Sequence, residues 1–154
     1  VVFQNDSRDI LAVAEVMLDG ELEYRRGNYD VAFARLREAV DLYDSLNYSE
    51  PWPWMMPPRH ALGALLLEQG HVDEAASVYR ADLGLDDTLV RPSQHQNNIW
   101  SLLGYAECCE RLGDRKTLEV IRPELEKARR GADSSIEVSC FCRTTHERLE
   151  ARTS

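Results

Sequence analysis

Residues 61–80 read ALGALLLEQGHVDEAASVYR. The run reads as two helices around Gly70, with small residues at Gly63 and Ala75 where paired helices need to come close. The same design stands on either side, in RRGNYDVAFARLREAV at 25–40 and ERLGDRKTLEVIRPELE at 110–126. The turn glycines Gly27, Gly70 and Gly113 recur every 43 residues, and a second set, Gly20, Gly63 and Gly104, lies seven, seven and nine residues earlier. A fixed period in this range is the mark of repeated supersecondary units.

In the first unit, Ile10, Leu11, Ala14, Met17, Leu18 and Leu22 recur at helical spacing before the glycine, and Ala32, Leu36, Ala39, Val40 and Tyr43 do so after it. Asp6 or Ser7 can cap the first helix. Short turns make the paired helices antiparallel neighbours. The reading is an all-α single domain over 1–154, with three antiparallel hairpins at about 7–45, 57–83 and 97–130 and a tail over 131–154. The tail is predicted to be extended through Ile136–Cys142.

Leu62-Gly63, Gly70 and Ala75, with Trp100 followed by Leu103-Gly104, resemble the tetratricopeptide pattern of W-x2-L-G, a turn Gly and an Ala. Asp82 departs from it, standing where a small residue belongs. Gly113 comes two residues late, with Leu118 at the next small position. A broader resemblance rests on AEVMLDGELEYRRGNYDVAFARLREAV, EPWPWMMPPRHALGALLLEQG, VYRADLGLD, HQNNIWSLLGYAECCERLG and SCFCR, in that order. These segments are similar to the C-terminal part of a family of larger bacterial and fungal tetratricopeptide-repeat proteins. The resemblance implies a right-handed superhelical array with a concave groove, and it supplies no activity to carry over to this chain. It also implies that the chain is a piece of a longer protein, with further repeats or self-association at its open ends.

The composition, 44% hydrophobic and 29% charged with a net charge of −9, suits a globular protein and argues against nucleic acid as a partner. No run of 18 apolar residues and no signal peptide is present, so the expectation is no membrane and a cytoplasmic setting. In that setting Cys108, Cys109, Cys140 and Cys142 are expected as thiols.

A tetratricopeptide unit takes 34 residues, so a 43-residue period leaves about nine extra per repeat. They fall in SLNYSEPWPWMMPPR (45–59) and LGLDDTLVRPSQHQN (83–97). The first is rigid and aromatic, with Trp52 and Trp54 alternating with prolines along a polyproline-like course. One reading makes it a plug between the first two hairpins, with Trp54 inside; the other makes it a binding loop, with Trp52 toward the groove. Register assigns Met17, Glu21, Tyr24 and Arg25 to the groove from the first unit. His60, Ala64, Leu67 and Glu68 follow from the second, and Asn98, Ser101, Tyr105, Cys108 and Cys109 from the third. So mixed a lining suits a peptide or a small polar ligand.

Two functions from different classes follow. The leading one is a non-catalytic scaffold holding a peptide or partner protein, with no cofactor, through Glu21, Tyr24, Arg25, His60, Glu68, Asn98, Ser101 and Tyr105, with Trp52 and Trp54 on the loop. The alternative is a Zn or Cu site or metalloenzyme using Cys140 and Cys142 with His60 or His95, and His146 nearby, because thiolate and imidazole select such ions. His60 could also be a base, and its first reading is as a hydrogen-bond partner of the Trp-rich loop. No G-x-S-x-G, P-loop, H-E-x-x-H or G-x-G-x-x-G occurs, so the usual hydrolase and nucleotide signatures lend no support to catalysis.

Overall fold

The computed structural model describes residues 4–132 and 135–143. They are all-helical, with no strand among the described residues. The main elements of the described residues are α1 (Ser7–Arg25), α2 (Tyr29–Asp44), α3 (Pro58–Glu68), α4 (Val72–Leu83), a 3-10 turn at Arg91–Ser93, α5 (Ile99–Leu112) and α6 (Arg115–Gly131). None of these helices is long and apolar enough to cross a membrane. The helices fall in two compact units, residues 1–62 and 63–154, with the chain passing from one to the other within α3.

In the first unit, Asp6 caps α1, its carboxylate accepting the Arg8 N–H at 2.9 Å. Val13, Met17, Gly20 and Tyr24 repeat at four, three and four residues, so they form one stripe, and that stripe is the buried face of α1. Ala32, Phe33, Leu36, Ala39, Val40 and Tyr43 of α2 supply the other half of the core. Polar pairs close the unit: Asn5 and Asn47 exchange side-chain and backbone hydrogen bonds at 2.9 and 2.7 Å. The buried Arg59 grips Asp44 through both terminal nitrogens, the second contact at 2.7 Å. The EPWPWMMPP stretch is a series of bends with a cis peptide between Glu50 and Pro51, so it does not follow a straight polyproline course.

In the second unit, α4 reverses on residues 63–68 through Gly70, which holds φ 82°. There the Gly70 and His71 N–H groups reach back to the Leu67 and Leu66 carbonyls. Gly27 and Gly113 take the same left-handed geometry at φ 81° and 71°, so one job explains all three members of the 43-residue series. The earlier series has another job. Tyr79 of α4, wholly buried, lies against both Gly63 and Gly104, where a Cβ would stand 2.6 and 2.1 Å from its Cζ. Leu65, Leu66, Leu102, Leu103, Ile121 and Leu125 fill the rest of the core.

The tail differs from its extended expectation. Residues 135–140 are irregular, and 141–143 form a helical turn in which the Arg143 N–H meets the Cys140 carbonyl. Side chains impose this course. Ser139 shares a 2.8 Å hydrogen bond with the Tyr79 hydroxyl, Arg143 chelates Glu107 at 2.6 and 3.3 Å, and Phe141 packs edge-on to Trp100.

Candidate binding cleft

Asp73, Ala76, Ser77 and Arg80 repeat at three, one and three residues on α4, so they share one face. On α5, Tyr105, Cys109 and Leu112 do the same at four and three. The two faces and Asp114 line a cleft of about 200 Å³. Asp114 is there because it caps α6, where its carboxylate accepts the Thr117 N–H at 3.1 Å.

The floor is buried and the rim is charged. Tyr105 is 7% exposed and Cys109 3%, whereas Asp73, Arg80 and Asp114 are open to solvent. Burial pushes the Tyr105 phenol and the Cys109 thiol above their ordinary values, so both stay protonated at neutral pH. Asp114 is held below the usual carboxylate range by the Thr117 hydroxyl and N–H. Arg80 faces Asp86 at 4.0 Å, and Ser77 turns its hydroxyl back to the Asp73 carbonyl. The Tyr105 hydroxyl has no hydrogen-bond partner among the described residues. The side chain is mostly buried, but the hydroxyl itself reaches solvent at the cleft, where a ligand atom can meet it.

A second cavity of about 300 Å³ lies between α5, α6 and the tail. In it Glu107 is taken by Arg111 and Arg143, and Glu126 by Arg129, while Glu110, Arg122 and Glu137 have no ion pair among the described residues.

A buried polar network stands beside the cleft. Asp82, fully buried, receives Nδ1 of His95 at 2.6 Å, the Ser101 hydroxyl at 2.6 Å and the Asn98 amide at 3.0 Å. Asn98 in turn caps α5 through the Ser101 N–H. Serine and histidine both bind the same carboxylate, so the trio lacks the serine-to-histidine contact a nucleophilic triad needs. It fastens the long loop instead.

The residues read from the sequence are distributed as follows. Tyr105 and Cys109 line the cleft. Asn98 and Ser101 belong to the Asp82 network, as does His95. Glu21, Tyr24 and Arg25 sit together in the first unit: Tyr24 is in the core against Tyr29 and Phe33, and the Arg25 guanidinium lies 5.5 Å from its ring centre. Burial raises the half-buried Glu21 carboxyl, which Arg25 partly offsets. His60 is buried in the first turn of α3, Glu68 is half-buried at the helix end, and Trp52 and Trp54 are both half-buried. Trp54 Nε1 is buried without a hydrogen-bond acceptor among the described residues.

Cys108 and Cys109 are buried thiols, as expected, but Cys140 and Cys142 are joined as a disulfide. The expectation of four thiols is corrected for that pair: at the start of a helical turn the two sulfurs come together. In this form they offer no thiolate to a metal. His146 lies outside the described residues. Sequence reasoning missed Asp73, Arg80 and Asp114, because the register assigned the groove to the first helix of each hairpin, whereas Asp73 and Arg80 lie on the second helix of theirs and Asp114 caps the second helix of the next. The signal was present in the spacing of Asp73, Ser77 and Arg80 along one face. No family model, curated protein or solved structure matches the chain.

Proposed function

We propose that the chain is a non-catalytic binding module of the tetratricopeptide type that holds a peptide segment of a partner protein in the α4–α5 cleft. One observation carries this reading: the nine-tenths-buried Tyr105 offers an unpartnered hydroxyl to a cleft whose remaining polar groups sit on its rim. The repeat reading is supported by the shared φ of the three turn glycines and by the common role of Gly63 and Gly104 against Tyr79. A binding role also agrees with the electrostatics. The cleft thiol and phenol are pushed toward their protonated forms, the wrong direction for nucleophiles or bases. The test is selection of random dodecapeptides on the full chain, with selected peptides re-measured against Tyr105→Phe. Peptides that bind the parent and weaken by severalfold on the variant support the module. Failure to select any binder overturns it.

A further inference from the structure

We propose that the α4–α5 cleft takes a basic side chain, lysine or arginine, of its peptide ligand; this rests on the binding-module reading above. Size is the first argument. At about 200 Å³ the cleft is below the roughly 300–1,000 Å³ of small-molecule and cofactor sites, and fits one long side chain.

Charge is the second. Two carboxylates, Asp73 and Asp114, face one guanidinium, and that guanidinium is already turned toward Asp86. An acidic side chain entering here would meet two carboxylates and one guanidinium that already has a carboxylate 4.0 Å away. The chain as a whole carries −9 and draws cations toward it.

The floor supplies the third, independent of the acids. Tyr105 brings a hydroxyl that has no partner among the described residues and can accept from an ammonium or guanidinium N–H. Ala76 and Leu112 line the same cleft and offer apolar surface to the aliphatic stem of such a side chain.

The test uses the ¹⁵N-labelled full chain and four acetylated, amidated pentapeptides, Gly-Gly-X-Gly-Gly, with X as lysine, arginine, leucine or glutamate, at one ionic strength. The lysine and arginine peptides are expected to shift the backbone amides of Asp73, Tyr105 and Asp114, and the leucine and glutamate peptides to leave them in place. Asp73→Asn should weaken the lysine peptide by about 1.5- to fivefold, the range of an exposed ion pair. Tyr105→Phe, which keeps the ring, should weaken it by about twofold or more. The amide spectrum of each variant reports whether it is folded. Shifts produced by the glutamate peptide at the same amides would overturn the basic class and leave the module reading standing. Selected dodecapeptides that bind without moving those amides would overturn the cleft as the site. Absence of binding by every pentapeptide and every dodecapeptide would remove both.

Discussion

Tyr79 occupies the space a side chain on Gly104 would need: a Cβ there would fall 2.1 Å from its Cζ. The ring cannot step aside, because it is fully buried and its hydroxyl is fixed by Ser139. Alanine is the better helix former by about 1 kcal/mol, but overpacking a core costs about 1–3 kcal/mol. Gly104→Ala should therefore lower the urea midpoint, with Gly63→Ala acting the same way. A midpoint equal to or above that of the parent would show that the packing around Tyr79 is looser than described.

The Asp82 carboxylate satisfies three donors in the interior of its unit. Asp82→Ala removes the acceptor from the buried His95 and Ser101 donors, while the Asn98 amide keeps the His95 carbonyl; each buried unsatisfied group costs about 1–3 kcal/mol, so a loss of about 2 kcal/mol or more is expected. Asp82→Asn keeps one acceptor oxygen and should cost less. Ser101→Ala combined with Asp82→Ala should be clearly less than additive, since both act on one network. Chemical denaturation of the four variants, Ser101→Ala alone included, checks the order and the non-additivity.

Burial pushes the Cys108 thiol up to about 12 from an ordinary value near 9. In the unfolded chain the thiol loses its proton near 9, while the native state keeps it until about 12. Its contribution to stability is complete below 9 and is lost as pH rises through that window. The thermal midpoint should fall between pH 9 and 12, and fall less steeply in Cys108→Ala. Equal slopes in the two proteins would count against burial as the cause.

Arg59 and Asp44 meet by two parallel contacts, with the arginine side chain 8% exposed. Lysine cannot reproduce that fork. Arg59→Lys should cost about 1–2 kcal/mol and Asp44→Ala about 2–3 kcal/mol, both read from denaturation curves.

Trp54 contributes apolar area but leaves its indole N–H without an acceptor among the described residues. Trp54→Phe removes that donor and keeps most of the packing, so its cost should stay under about 1 kcal/mol. Trp54→Ala should cost about 3 kcal/mol or more. A large loss in the phenylalanine variant would mean that the N–H has a partner after all, such as a bound water.

Helix positions were legible because they rest on local rules. Apolar periodicity and the turn glycines place α1 through α6 within a few residues of where they lie. Asp82 was legible as an anomaly, a charge where a small residue belongs, but not its partners. His95, Asn98 and Ser101 reach it across a loop whose course no local pattern dictates. The cleft was half legible. Tyr105 follows from register along α5, while Asp114 enters as a helix cap, a role whose second use depends on which helix passes nearby. The tail was misread because its conformation is set by side chains. Tyr79 and Glu107 seize Ser139 and Arg143, contacts separated by 60 and 36 residues.

The Asp82 clasp works like a stitched eyelet. His95 and Asn98, 13 and 16 residues further on, are sewn to the end of α4, so the thread between can lengthen without moving the stitch. For a flexible loop, doubling the length adds only about 0.6 kcal/mol of closure entropy. Added residues near the exposed Asp87 and Thr88 would therefore leave the start of α5 where it is. Loop length and helix placement are separate variables in this chain, and the segment after α4 can change its surface while the cleft beside it keeps its shape.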